Sequence, residues 1–261
     1  MKIISVIKLF AMATLTGYIA SLNGAEKIAT EPFNNVTIFA ETSYDITPVL
    51  EKLTALETVS YKIVGDMVYV YATGVPNHKS PYFIDTQWEK EKYVDNTSRG
   101  FHLNPNRIET QDYEFRIPLH PKESRVKRAT NMGPMGIAIN GVPFFNQYAA
   151  GGAALTREIR SFDQYNGHPT ARGNYHYHIE PTYLTDEYGS EAFLGLLLDG
   201  FPVYGPMEKG TAVDGDTLDE YHGHFGVTAD FPNGIYHYHI TPDAPYINGD
   251  GFFGNPGTVS N

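Results

Sequence analysis

The sequence predicts a mainly-β fold, with two repeat-related β units packed as a sandwich or flattened barrel and few short helices. Three observations predict it. The second half of the chain is an internal duplication, its β-prone pieces are short and punctuated by Gly and Pro, and segments of helical period are scarce.

The 261 residues open on Met1-Lys2, an apolar run from Ile3 to Ala20 broken only by Lys8, and small residues through Gly24 and Ala25. This is the layout of a secretory signal peptide over residues 1–25, with cleavage between Ala20 and Glu26, and it implies a periplasmic or secreted protein. The alternative is an uncleaved anchor, but the run sits at the short edge of the ~20 residues a spanning helix needs and carries a lysine. No stable membrane span is expected after cleavage. A lead segment, residues 26–57, follows, and its Pro48 to Leu56 stretch reads as two helical turns. The β domain is expected over residues 58–255, with 256–261 as a C-terminal tail. Residues 58–64 and 67–72 flank Gly65-Asp66 as a hairpin, and Tyr113-Glu114-Phe115-Arg116-Ile117 alternates as a half-buried strand does. Residues 76–107, which hold Trp88, read as a long functional loop. Ala153 to Arg160 is a second candidate for two helical turns, with Thr156, Arg157 and Glu158 outward.

The repeats span 136–181 and 195–242. Gly136–Phe145 matches Gly195–Tyr204, Asp163–His168 matches Asp219–His224, and Gly173–Pro181 matches Gly234–Pro242. The block offsets of 59, 56 and 61 residues show that only the linkers change length. Each unit is too small to bury both faces alone, so the copies are expected to pack with pseudo-two-fold symmetry across one core, bringing their histidine strands close together.

Composition removes several classes. Taking two lysines and no acid from a net charge of −11 leaves −13 for the mature chain, and the densest basic run is only Arg125-Val126-Lys127-Arg128, so nucleic acid is not an expected partner. There is no cysteine, so any metal must be held by nitrogen and oxygen. Hydrophobic residues make up 41% of the chain, enough for a packed core.

Seven of the ten histidines lie in the repeat region, and the signature is Tyr-His-Tyr-His at 175–178 and again at 236–239. Along a strand, residues i and i+2 share a face, so His176 and His178 point one way and Tyr175 and Tyr177 the other. His237 and His239 do the same. His168 and His224, each after a Gly, are candidates to return on a loop as third ligands, giving a three-nitrogen site for a transition metal. Copper is the first choice by affinity order and zinc the second. Asp163 and Asp219 are expected behind the histidines, fixing their tautomers. The alternative is a structural ladder, with each ring bonded to a cross-strand carbonyl or a buried aspartate and no ion. Calcium at Asp214-Gly215-Asp216 or Asn248-Gly249-Asp250 is a weak reading, since both lack calcium-loop spacing. Two other functions compete with simple metal binding. A metal-dependent hydrolase would use an open coordination position for water. A cell-surface glycan- or protein-binding module would use the 19 tyrosines and 15 phenylalanines. No sequence motif names a catalytic residue or a substrate, and protein partners are equally unspecified.

The doubled Gly-x-Tyr-His-Tyr-His-x-x-Pro resembles the YHYH domain family, exported bacterial and eukaryotic proteins named for that tetrapeptide. The resemblance extends to Gly74-Val75-Pro76-Asn77-His78, Asn104-Pro105-Asn106, Ile139–Pro143, Leu198–Pro206 and Pro245-Tyr246, and so covers about residues 60–255. It implies that the histidines are ligands and adds His78 as a further one that would close the site. Relatives carry cysteines where this chain has Tyr165, Tyr221 and the Gly249–Gly254 stretch, so the disulfide stapling of the family is absent here.

Overall fold

Two β-prone segments separated by two residues can pair only as a hairpin, and β1 (Val59–Val64) and β2 (Met67–Ala72) do so with Val64 opposite Met67. The structure is a computed structural model that describes residues 42–54, 57–83 and 100–261, all in one unit, Ala40–Asn261. The signal peptide, the first part of the lead segment and Trp88 fall outside the described residues. β3 (Tyr113–Pro118) adds to β2, burying Tyr113, Phe115 and Ile117 in alternation as its sequence requires. β4 (Glu123–Ala129) leads into the first repeat.

That repeat runs β5 (Pro134–Ala138), β6 (Pro143–Phe145), a small ribbon of β7 (Tyr148–Ala149) and β8 (Ala153–Ala154), then β9 (Gly167–Pro169) and β10 (Tyr175–Tyr177). The second runs β11 (Phe193–Leu197), β12 (Pro202–Tyr204), the ribbon β13 (Met207–Glu208) and β14 (Thr211–Ala212), then β15 (Gly223–Gly226) and β16 (Ile235–His239). Two last strands, β17 (Gly251–Gly254) and β18 (Thr258–Ser260), pair with β4 and β3. Residues 256–261, set apart on sequence as a tail, therefore supply an edge strand of the four-stranded sheet β1-β2-β3-β18.

The fold is mainly β, and no sheet among the described residues closes into a barrel. Both repeats enter one eight-stranded sheet in the order β15-β16-β12-β11-β5-β6-β10-β9. Its centre is the antiparallel β5–β11 pair, in which Ile137 faces Leu196, its own repeat equivalent, so the pseudo-two-fold axis passes between these two residues. The four-stranded sheet shares one hydrophobic core with this sheet, with Val68, Val70 and Phe115 joining Ile137, Phe144, Leu196 and Phe201. Residue pairs Asn140-Gly141 and Asp199-Gly200 turn the chain at equivalent points. Gly141 has φ +80 and Gly200 φ +87, and a side chain there would meet the methyl of Val59 or the carbonyl of Pro118 at 2.7 Å, so the turns dock directly on the four-stranded sheet.

Side-by-side packing corrects the expectation that the histidine strands face each other across one core. β10 and β16 are separated by four strands, which at 4.7–4.9 Å per strand places them about 24 Å apart. Edge-to-edge joining wins because β5 and β11 offer matched hydrogen-bonding edges on the symmetry axis, while the four-stranded sheet covers the apolar face that a second repeat would otherwise bury.

The first helix expectation holds as α1 (Thr47–Leu53), with Pro48 in the first turn and Val49, Leu50 and Leu53 buried. The second does not. Ala153–Ala154 is strand and only Glu158–Ser161 makes a 3-10 turn, because Gly151 and Gly152 at φ +76 and +78 fold the ribbon back immediately before it. An unforeseen helix, α2 (Thr182–Tyr188), follows Pro181 and stops at Gly189 (φ +100), start and stop signals that its β-branched and aromatic residues obscured.

At the symmetry axis the backbones approach so closely that a Cβ on Gly136 would lie 2.5 Å from the Leu196 carbonyl. Gly136→Ala is expected to destabilise the protein by about 1–3 kcal/mol, and an unchanged thermal midpoint would show that β5 and β11 are not the central seam.

Candidate metal centres

In β10 every residue is buried, so both faces of a strand with two polar side-chain types must be satisfied by protein. The tyrosines face the core. Tyr175 donates to Asp163 Oδ2 at 2.8 Å, and the Tyr177 hydroxyl accepts from Asn140 Nδ2 at 3.1 Å and lies 2.8 Å from His78 Nε2. The second repeat keeps this pattern: Tyr236 donates to Asp219 and Tyr238 to Asp199 Oδ2 at 2.6 Å. Asp163 and Asp219 therefore serve the tyrosine face and do not touch the histidines, contrary to expectation. They also accept from the backbone N–H groups two and four residues on, holding the turn that delivers β9 or β15. Asn140 and Asp199 do the equivalent work at the second tyrosine of each motif. Both stand in matched turns of the repeat, where they read as turn residues alone.

The opposite face carries the histidines. His168 lies on β9 directly across from His176, and His224 on β15 directly across from His237, so the third ring of each set arrives on the neighbouring antiparallel strand and not on a loop. In the first repeat, His168 Nε2 and His176 Nε2 are 3.1 Å apart, His176 Nε2 and His178 Nε2 2.9 Å, and Glu158 Oε1 is 3.3 Å from His168 Nε2. In the second, His224 Nε2 and His237 Nε2 are 3.1 Å apart, and His239 Nε2 is buried with no hydrogen-bond partner among the described residues. Among the described residues, two groups can hold a metal ion: Glu158 with His168, His176 and His178, and His224 with His237 and His239.

What the other ring nitrogen does decides the protonation. His176 Nδ1 donates to Asn174 O at 3.0 Å and His178 Nδ1 to Asn146 O at 2.6 Å, and a carbonyl oxygen can only accept. Ser161 spends its hydroxyl proton on Glu158 O, so it must accept from His168 Nδ1. His237 and His239 donate Nδ1–H to Ile235 O and Gly205 O, the repeat equivalents of Asn174 and Asn146. In the first repeat the three neutral rings thus aim Nε2 lone pairs at one another. A pair of lone pairs at 2.9 Å is repulsive unless a proton or a cation lies between them. Burial opposes the proton: it pushes His176 well below the usual value, and His178 and His237 down to about 4, with the neighbouring rings adding to the effect. Metal–nitrogen bonds of 2.0–2.1 Å put adjacent donor atoms about 2.9 Å apart at a square corner and about 3.3 Å at a tetrahedral one, which brackets the separations here.

His78 sits on the tyrosine side of β10 with Nδ1 bonded to Lys79 O, and so is in neither group, which corrects its place as an added ligand. Glu158 and Glu208 were not singled out on sequence. Glu158 Oε1 faces the His168 Nε2 lone pair at 3.3 Å, a contact between two acceptors that likewise needs a proton or a cation between them. Glu208 Oε2 lies 3.6 Å from His224 Nε2. The two acids are not repeat equivalents, since the offset of 59 sets Ala149 opposite Glu208, so repetition could not reveal them. The acidic stretches considered for calcium are turns: Asp214 accepts from Asp216 N, and Asp250 from Gln147 and Tyr148.

The YHYH protein family matches residues 114–217 and 207–251, together more than half of the chain. The chain belongs to the YHYH family. No curated protein and no solved structure matches it. The matched span takes in both histidine groups of this YHYH protein and leaves His78 outside. No helix among the described residues is long and apolar enough to cross a membrane.

The depressed histidines set a pH dependence. His78, His178, His222 and His237 fall to about 4 on folding, so the unfolded chain, with histidines near 6.5, binds more protons as pH drops. Their contribution is complete above 6.5 and lost as pH falls to 4. Asp163 and Asp199, raised by burial to about 6, act in the opposite sense over the same window but are fewer. Denaturant titration of the metal-free YHYH protein should show stability falling between pH 6.5 and 4. A flat or rising profile would contradict neutral buried rings.

Proposed function

We propose that this YHYH protein is an exported metal-binding protein that holds two transition-metal ions, one in each repeat, through His168, His176 and His178 with Glu158, and through His224, His237 and His239. The observation that carries the reading is the convergence in the first repeat of three Nε2 atoms whose Nδ1 partners leave them without protons, with His237 and His239 in the same state in the second. A hydrogen-bonded ladder accounts for the Nδ1 atoms and fails for the three Nε2 atoms of the first repeat and for His239 Nε2 in the second. A buried His239 Nε2 with no partner would cost a desolvation penalty of about 1–3 kcal/mol that a bound cation removes.

With no cysteine in the chain, the donors are imidazole and carboxylate, a set that suits copper(II) or zinc, and the affinity order favours copper where both are available. Export rests on the Met1–Ala25 segment, and a mature amino terminus between Ala20 and Glu26, read by mass spectrometry, is the expected result for the secreted protein. The rival role as an aromatic binding surface loses its motivation, since Tyr82, Tyr113, Tyr175, Tyr177, Tyr236 and Tyr238 are fully buried.

Elemental analysis of protein loaded with copper or zinc and then desalted should give two ions per chain. His176→Ala with His178→Ala should leave one, His237→Ala with His239→Ala should leave the other, and the fourfold variant should bind none. Full uptake by the fourfold variant would contradict the assignment. Equal molar competition is expected to fill both centres with copper ahead of zinc.

A further inference from the structure

The two centres differ in ways that the duplication does not require. The first has four protein donors within reach of one ion, Glu158 included, and its rings are walled in: Phe145 stacks on His176 at 3.9 Å and Phe162 lies parallel to His178 at 5.6 Å. His168 is 3% exposed. In the second centre the group that can share an ion has only three members, His224 is 29% exposed, and Glu208 stands outside the group, 3.6 Å from His224 Nε2 with Lys209 paired to its carboxylate. Tyr204 replaces Phe145, its ring edge-on to His237 at 5.3 Å and its hydroxyl turned away to Thr228 and Asp230. A cleft of about 360 Å³ opens beside His237 and His239, with Tyr204, Met207, Val227 and Ala229 in its walls. His239 Nε2, buried and unpartnered, belongs to this same centre.

We propose that the second centre keeps one coordination position exchangeable and that a small carboxylate with a short apolar body binds the metal there, filling the cleft. This rests on the metal-binding reading. A divalent ion on three neutral imidazoles carries a net charge of +2 and takes water or an anionic oxygen as its fourth ligand. In the first centre Glu158 fills that role from within the chain. In the second, Glu208 stands outside the ligand group, 3.6 Å from His224 Nε2, and would accept a hydrogen bond from a water held at that position. The Met207, Val227 and Ala229 walls favour a ligand whose remainder is apolar over a simple inorganic anion. The repeat has thus kept its ligand strand and changed what closes the site.

The test uses the full chain loaded with copper(II), azide as a reporter of an exchangeable position, and butyrate as the carboxylate. Azide should produce a charge-transfer band that saturates at one equivalent per two copper ions, and butyrate should displace it. His178→Ala, aimed at the first centre, should keep the band, and His239→Ala should lose it. Ala229→Phe, at an exposed position on the cleft wall, should retain two coppers and weaken butyrate at least tenfold, which keeps the test decisive if His239→Ala fails to fold. Two bound coppers with no azide band, or a band that survives in His239→Ala, would overturn the exchangeable position while leaving the two-ion reading intact. Failure of butyrate to displace azide would overturn the ligand class. A chain that takes up no copper would overturn the metal reading itself.

Discussion

Backbone carbonyls accept an Nδ1–H hydrogen bond from each histidine of the two repeated motifs, and the rest of the chemistry depends on that bonding. Asn174 and Asn146 in the first repeat and Ile235 and Gly205 in the second accept Nδ1–H, so two Nε2 lone pairs are forced inward toward a shared point in each repeat. The strand alternation makes this arrangement economical. One face of β10 and β16 spends its tyrosines on acids and amides, with Asp163, Asn140 and Asp199 buried and Asp219 exposed, anchoring the strand in the core, while the other face is left for imidazole. A carbonyl partner also fixes ring orientation, the service that an outer carboxylate provides around many histidine sites.

Symmetry and its breaking are both visible at the level of single residues. Ile137 against Leu196 places the axis, the Asn140-Gly141 and Asp199-Gly200 turns dock on the same four-stranded sheet, and the carbonyls behind the histidines come from equivalent positions. The departures gather on the solvent side of the histidine face. The acid comes from the 3-10 turn Glu158–Ser161 in one copy and from the ribbon strand Met207–Glu208 in the other, and Phe145 is exchanged for Tyr204. The interior is constrained by packing at both copies, whereas the ribbons and turns over the sites are free to diverge.

Much of this was legible from residue order. The period of two put His176 with His178 and His237 with His239, the block order supplied His168 and His224, and the Gly65-Asp66 hairpin and the helix at Pro48 followed from local rules. Placement across the sheet was not legible, because duplication says that two units associate without saying through which edge. For the same reason the sequence places the two histidine strands close together, although four strands separate them. Asp163 and Asp219 were read as partners of histidine because a carboxylate close in sequence is a natural one, yet their side chains reach the tyrosine face through the turns they cap. His78 and Glu158 were misplaced for a related reason, since contacts made by irregular chain leave no periodic trace.

The most direct measurement is anomalous diffraction from crystals of the copper-loaded protein, collected on both sides of the copper edge. Two peaks are expected, one in each repeat with the strands between β10 and β16 separating them, each within bonding distance of three Nε2 atoms. A single peak between the repeats, or peaks at Nδ1 atoms or at surface carboxylates with the Nε2 clusters empty, would contradict the account.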